Sequence, residues 1–152
     1  VFQVLKFDPS LKIQMANPKK IYFIDNGIVN RIGFNATENT GSQLENVVYI
    51  ELLRRAAPFY HDVYYHKPSS RNKEVDFVVC EQGRVIDLVQ VSYGIDNPKT
   101  FKRETDALIQ AAENLHCDNL TLIARSETRD EVIGGKTVHI VNIIEWLLSG
   151  SH

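Results

Sequence analysis

The chain has 152 residues, of which 43% are hydrophobic and 24% are charged, and its net charge is −2 at pH 7. These values are typical of one folded soluble domain and exclude a disordered chain or a wholly basic nucleic-acid binder. No apolar run approaches the roughly 18 residues that a membrane helix needs, and no signal peptide opens the chain. Cys80 and Cys117 lie far apart and outside any CxxC motif, so we predict two buried, reduced cysteines, no zinc site and a cytoplasmic location.

The first residues, Val1 to Phe7, form a strand-like apolar pattern without an initiating methionine, which favours a piece of a longer protein. A second strand is predicted from Lys20 to Ile24. It follows a break at Asn17-Pro18 and precedes a turn at Asp25-Asn26-Gly27.

Three helices are predicted, at residues 41–56, 98–116 and 143–148. In the first, Ser42 is the expected N-cap with Glu45 as its capping-box partner, and Pro58 stops the chain soon afterwards. Pro98 suits the first turn of the second helix. The third carries Trp146, the single tryptophan, which we interpret as a packing residue.

Strands are predicted where β-branched and aromatic residues concentrate between turn signals. After the first helix they are residues 63–66, 73–80, 84–92, 120–124 and 138–141. Glu81-Gln82-Gly83 joins the second and third of these as a hairpin, and Gly134-Gly135 forms a turn before the last.

Acidic side chains interrupt the apolar strand at residues 73–80. Strand alternation predicts Glu74, Asp76 and Val78 on one face, with the opposite face in the core. Gln90 and Ser92 share a face of the neighbouring strand and are expected beside these carboxylates. A buried carboxylate without a partner is very costly, so this face predicts an acidic cleft with a function.

The order helix, three-stranded meander, helix, strand (αβββαβ) is similar to the core of the PD-(D/E)XK nuclease superfamily. More closely, the chain resembles the nuclease-like domain found C-terminal to the P-loop (AAA-type) ATPase module of bacterial and archaeal proteins. The segments that carry this resemblance are Lys20–Gly27, Gly41–Asn46, Glu74–Phe77 and Gln90–Tyr93, together with Thr100, Arg103, Glu104 and Leu108.

The resemblance implies an α/β restriction-endonuclease-like core, with a central mixed sheet flanked by helices. The whole chain, residues 1–152, is then a single nuclease-like domain, with lead-in strands and a turn at 1–40 and the core, final strand and helix at 41–148. The ATPase module lies outside this chain. No GxxxxGK[ST] motif is present, so ATP is expected to bind only in that module.

The resemblance also implies a site. Glu45 matches the helix acid and Asp76 the strand acid, which would hold Mg²⁺ or Mn²⁺ with help from Glu74. Gln90 and Ser92 occupy the places of a Glu-x-Lys pair, and a glutamine carbonyl coordinates a cation without offsetting its charge. Losing the lysine contact typically costs about 10²–10³ in rate. The implied catalytic set is therefore degenerate.

Two interpretations of these residues stay open. In the first, Glu45, Glu74 and Asp76 still hold one metal ion, and Lys73 or Lys102 replaces the missing lysine. In the second, the residues are structural: Glu45 caps its helix, Glu74 pairs with an arginine, and Gln90 and Ser92 hydrogen-bond to each other.

The expected function is that of a degenerate accessory domain that binds nucleic acid or a partner protein. Basic residues that flank the acidic strand would contact phosphates: Arg54, Arg55, Lys67, Arg71 and Lys73. The first alternative is a metal-dependent nuclease that hydrolyses phosphodiester bonds in DNA. The second is a protein-interaction or oligomerisation platform, which the seven acids between Glu104 and Glu131 suggest.

Overall fold

A computed structural model of the chain describes residues 1–25, 27, 40–68 and 73–150. These residues form a six-stranded mixed sheet flanked by helices. The chain also forms a separate two-stranded ribbon. The elements are β1 (Phe2–Val4), α1 (Leu11–Ala16), β2 (Lys20–Tyr22), α2 (Thr40–Ala56), a 3₁₀ turn (Ala57–Phe59), β3 (Asp62–His66), β4 (Val75–Glu81), β5 (Arg84–Ser92), α3 (Pro98–Leu115), β6 (Leu120–Ala124), β7 (Arg129–Ile133), β8 (Lys136–Asn142) and α4 (Ile143–Leu148).

The large sheet combines an antiparallel meander with a parallel part. Its strand order is β3-β4-β5-β6-β8-β7. Strands β3, β4 and β5 are antiparallel neighbours, whereas β5, β6 and β8 run parallel and β7 closes the far edge antiparallel to β8. The predicted mixed sheet flanked by helices is therefore confirmed.

Two apolar layers lie on the two faces of this sheet. On one face α3 packs over a layer that includes Leu108 and Leu122. On the other face, α2 and α4 cover a layer with Phe77, Ile123 and Trp146. Burying one such large side chain typically contributes about 1.5–3 kcal/mol. Trp146 is a packing residue, as predicted, and both cysteines are buried and free.

Local signals explain why the long elements match their predictions. Asn97 caps α3 by accepting a hydrogen bond from the Lys99 amide, and His116 ends the helix in the left-handed conformation, at φ 53°. The β4–β5 hairpin turns at Gln82 and Gly83, which both have positive φ as a two-residue turn of type I′ requires. No helix within the described ranges is long and apolar enough to cross a bilayer.

Three short elements, namely α1, the 3₁₀ turn and β7, were not predicted, and the N-cap of one helix was wrong. The edge strand β7 begins with Arg129, Asp130 and Glu131, so it lacks the apolar alternation by which a strand is recognised. Helix α1 buries no residue, so its sequence carries no apolar stripe of the kind that predicts a helix packed on a core. Helix α2 starts at Thr40, which places Ser42 inside the helix rather than at the N-cap.

The β1–β2 ribbon is fastened to the edge of the large sheet. Tyr65 on β3 donates its amide hydrogen to the carbonyl of Leu5 at 3.1 Å and accepts from the Phe7 amide at 2.7 Å. Its hydroxyl donates to the carbonyl of Pro18 at 2.5 Å. These bonds bring β2 next to α2 and β4.

Candidate functional site

The ammonium group of Lys20 lies among three carboxylates. Its Nζ is 2.9 Å from Glu45, 2.6 Å from Glu74 and 3.1 Å from Asp76. The lysine comes from β2, Glu45 from α2, Asp76 from the start of β4, and Glu74 from the position just before β4. We call these four residues the Lys20 cluster. Ionic contacts at these distances hold three elements together through one side chain.

Aromatic packing positions β2 for this contact. The Tyr22 ring stacks on Tyr49 of α2, with centroids 4.4 Å apart, and lies 5.6 Å from the ring of Phe77. The Asn46 side chain then pairs with the backbone of Phe23, accepting from its amide and donating to its carbonyl, both at 2.7 Å. Since Lys20 and Tyr22 are two residues apart on a strand, both side chains point towards α2.

The hydroxyl of Tyr22 completes one side of the Lys20 cluster by donating to the Glu45 carboxylate. Burial, followed by the nearby negative charge of Glu45, raises the pKa of Tyr22 well above its usual range. The phenol therefore stays protonated and acts as a hydrogen-bond donor at neutral pH.

A β-bulge sets the direction of the Asp76 side chain. Between β3 and β4 the register shifts, because Tyr64 pairs with Val78 whereas His66 pairs with Val75. Val75 and Val78 consequently belong to the same apolar layer, beneath α3. The strict alternation predicted for residues 74–79 is wrong at this point. Its failure is what directs Asp76 towards Lys20 and α2.

Where β4 and β5 separate, side chains accept the hydrogen bonds of backbone amides that would otherwise pair between the two strands. The second oxygen of the Asp76 carboxylate accepts from the Val91 amide at 3.0 Å, and the amide of Asp76 donates to Gln90 Oε1 at 3.1 Å. Buried backbone N–H groups need partners, and here two polar side chains supply them. Asp76 and Gln90 are therefore fixed by the sheet as well as by the Lys20 cluster.

Opposing electrostatic effects act on the Lys20 cluster. Burial raises the pKa of Asp76 to about 7, and the charge of Lys20 opposes that rise. Burial also disfavours the charged form of Lys20, but attraction to Asp76, Glu45 and Glu74 outweighs it, so the lysine pKa is raised. Lys20 is thus a cation at every physiological pH.

Gln90 is directed towards the opposite layer. Its Nε2 donates to the buried carboxylate of Glu104 on α3 at 2.6 Å, and Arg103 donates to the other oxygen of Glu104. Ser92 Oγ donates to the Gly94 carbonyl at 3.2 Å. The predicted hydrogen bond between Gln90 and Ser92 is wrong, since each has another partner.

The structure settles the partners proposed for the other site residues. Glu45 binds Lys20 and Tyr22 instead of capping its helix. Glu74 pairs with Lys20 and, at 3.4 Å, with Lys67 rather than with an arginine. Lys73 and Lys102 both approach Asp106, at 3.8 and 2.8 Å, whereas the lysine nearest to the acids is Lys20.

The predicted phosphate-binding residues do not share one open surface. Arg54 and Arg55, at the end of α2, both bind Glu51 and reach the backbone of the C-terminal segment. Lys67 and Lys73 lie near the Lys20 cluster and face acids, as described above. Arg71 lies outside the described residues.

Carboxylate oxygens are suitable ligands for Mg²⁺ or Mn²⁺, and Glu45 and Asp76 supply such oxygens. The ammonium of Lys20, however, lies within 3.1 Å of both and fills the space between them. The residues as arranged therefore do not fit a divalent cation alongside Lys20. In the part of the chain that the structure describes, no three acid, histidine or cysteine side chains are arranged to hold a metal ion.

Lys20, Tyr22 and Glu104 are the site residues that sequence reasoning missed. The segment that begins at Lys20 belonged to the resemblance, and its period-two spacing places Lys20 and Tyr22 on one face. No sequence pattern indicated which acids that face would meet.

Comparison with known proteins gives a family without an assigned activity. Residues 40–146 match the family described as "Domain of unknown function (DUF4143)". Uncharacterized protein MJ1544 of Methanocaldococcus jannaschii is 30% identical over 146 residues, which cover 92% of this chain and 32% of that protein. An uncharacterized protein of Haemophilus influenzae is 26% identical over 147 residues, covering 97% of this chain and 33% of the relative. The chain thus spans about a third of these relatives.

Proposed function

Because the chain belongs to the DUF4143 family, a family of unknown function, we propose its role from the site: a non-catalytic, nuclease-like accessory domain of a P-loop ATPase that binds a partner protein. The single observation that carries this proposal is the Lys20 ammonium among three carboxylates. A restriction-endonuclease-like core, with its αβββαβ order, is part of the same proposal.

The Lys20 cluster supports a binding role because its charges are already paired. A metal-dependent hydrolase needs acids that are free to hold a cation and polarise water. Here Glu45, Glu74 and Asp76 share an internal cation, and Gln90 is bound to Glu104. Such a network stabilises one arrangement of β2, α2 and β4.

Exposed apolar side chains favour a protein as the partner. Five large ones lie between residues 11 and 24, each at least 46% exposed: Leu11, Ile13, Met15, Ile21 and Ile24. Large apolar side chains exposed close together in one segment are typical of protein–protein contacts. Four of the basic residues expected to bind phosphates, Arg54, Arg55, Lys67 and Lys73, are instead engaged with acids, which disfavours nucleic acid.

The proposal is tested first by isothermal titration of Mn²⁺ into the wild-type chain and the Lys20→Met variant. We expect no binding by the wild type and one Mn²⁺ site in the variant, because Glu45 and Asp76 then lack a cation. A site in the wild-type chain that is lost in Asp76→Ala, with metal-dependent cleavage of DNA, would contradict a non-catalytic role.

The partner class is tested by two further measurements. Fluorescence anisotropy with labelled double-stranded DNA in 50 mM salt should show no binding. Hydrogen exchange should show slower exchange of residues 11–24 in the full-length protein than in this chain alone. DNA binding that weakens steeply with salt would assign the domain to nucleic acid instead.

A further inference from the structure

A second concave site lies at the end of α2 distant from the Lys20 cluster. It is a cavity of about 290 Å³, lined by residues of α2, the 3₁₀ turn, β4, β5 and α4, by His61 just before β3 and by Asn119 just before β6. Arg55 and Ala56 border it, ten residues or more along α2 from Glu45. At 1.5 Å per residue that separation is about 15 Å, so the two sites are distinct.

The walls of the cavity are mostly apolar and partly aromatic. Leu52, Val79 and Ile86 supply aliphatic surface, and Trp146 supplies an indole ring. Phe59 stands at the rim with 67% of its surface exposed. An exposed phenylalanine beside an apolar cavity costs solubility without helping the core, and an aromatic rim suits a flat ligand.

Besides His61, which stacks on Phe59 with ring centroids 5.5 Å apart and whose Nε2 makes no hydrogen bond within the described residues, the cavity has two polar side chains that remain available, Asp87 and Asn119. The Asp87 carboxyl accepts a long bond, 3.4 Å, from Thr121, and burial raises its pKa to about 6. Asn119 makes one long bond of its own, 3.4 Å to the Ile86 carbonyl. Both groups can accept a hydrogen bond from a ligand, and the Asn119 amide can also donate one.

Arg55 is already committed to other groups. Its guanidinium carbon lies 4.1 Å from the centroid of the Trp146 ring, its Nε donates to Glu51 at 2.7 Å, and it also donates to the Trp146 carbonyl. With Arg55 neutralised by Glu51 and with Asp87 inside, the cavity disfavours phosphates and carboxylates. A sugar would find too few polar partners, and the volume is at the small end for ligand sites.

We propose that this cavity binds one planar heterocycle that carries an exocyclic amine, of the nucleobase type. The ring packs against Phe59 and the part of the Trp146 indole that Arg55 leaves uncovered, the amine donates to Asp87, and Asn119 pairs with the ring edge. The same chemistry is presented by a free base or nucleoside and by an unstacked base of a single strand. This proposal is independent of the proposed function of the domain.

Trp146 is the single tryptophan of the chain, so tryptophan fluorescence comes from one residue that lines this cavity. We would titrate the 152-residue chain with adenine, cytosine and uracil, exciting at 295 nm, and repeat the titration by calorimetry. Adenine and cytosine should bind saturably and at least tenfold more tightly than uracil, which lacks the exocyclic amine. A charge-assisted hydrogen bond is worth about this factor or more.

Two variants link the signal to the cavity. Asp87→Asn should weaken adenine about tenfold or more, whereas Asp62→Asn, an exposed acid on β3, should leave binding unchanged. Asn119→Ala should weaken binding as a second, independent loss. Circular dichroism of each variant verifies that the fold is intact.

The outcomes separate the two sources of the ligand and can overturn the proposal. Tighter binding of hexadeoxyadenylate than of adenosine, lost in Asp87→Asn, supports a base within a strand. Tighter binding of adenosine supports a free ligand. No saturable signal with any of these probes, or equal binding by wild type and Asp87→Asn, overturns the assignment.

Discussion

Lys20 supplies one positive charge to three carboxylates, so its charge cannot be removed without leaving several acids unpaired. Removing one partner of a buried ion pair is far more costly than the pair itself is stabilising. The side chains here are 12–29% exposed, so water relieves part of that cost. The acids of the Lys20 cluster were predictable from their position in an apolar strand. Their cation was not, because alternation defines a face but not what is folded against it.

The first prediction concerns Lys20→Met. We expect the free energy of unfolding at pH 8 to fall by about 2–4 kcal/mol in urea denaturation. Without Lys20 the carboxylates take up protons more readily in the folded state, so the loss should shrink as pH falls towards 5. Lys67→Met is the matched control, since that lysine is 55% exposed and should change stability by less than about 0.5 kcal/mol. An equal loss in both variants would show that Lys20 has no special role.

A second prediction concerns Asp87, whose pKa burial raises to about 6 in the folded chain against an ordinary value of 3.8. The folded state then binds more protons than the unfolded state between those pH values, so ionised Asp87 costs stability as pH rises. Asp87→Asn should therefore stabilise the chain by about 1–2 kcal/mol at pH 8 and by almost nothing at pH 4. Thermal melts across this range measure the difference, and a variant that is less stable at pH 8 would contradict it.

Strand β5 joins the two faces of the sheet at Gln90, which bonds to β4 through the Asp76 amide and to α3 through Glu104. Elements with sustained periodicity, such as α2, α3 and β5, were predictable because their apolar residues repeat over many positions. The bulge in β4 was not predictable, since one extra residue leaves no sequence pattern. That single shift decides which face Asp76 occupies.

At this contact we predict that Gln90→Glu is destabilising. It would place a second carboxylate 2.6 Å from Glu104, and like charges at that distance repel strongly in a buried site. A loss of about 2–3 kcal/mol is expected at pH 7, with recovery at pH 5 as one acid becomes protonated. Combining Gln90→Glu with Glu104→Gln should restore stability, and a double variant no better than the single one would contradict this explanation.

For the whole molecule, apolar surface is unevenly distributed. Helix α1 buries none of its residues. Its large apolar side chains Leu11 and Met15 are 66% and 62% exposed. The chain spans about a third of its relatives, so two-thirds of such a protein lies beyond the residues described here. The fold class was predictable from composition and element order, whereas no pattern in the sequence indicated that the apolar side chains between residues 11 and 24 would be exposed.

The corresponding prediction is that replacing Leu11 and Met15 together by serine changes the stability of this chain by less than about 0.5 kcal/mol, because neither side chain is in the core. In the full-length protein the same double variant should abolish the slowed hydrogen exchange of residues 11–24. Ala111→Ser, in the buried face of α3, is the contrasting control and should reduce stability without altering that exchange.

The edge strand β7 has a consequence for how this chain coexists with other copies. No other strand among the described residues pairs with its outer side, and an open strand edge is a template for sheet growth between molecules. Arg129, Asp130 and Glu131 place alternating charges along that edge, and Arg129 and Glu131 are joined at 2.7 Å. These charged residues made β7 unrecognisable as a strand in the sequence. The same charges disfavour aggregation through the edge of the sheet.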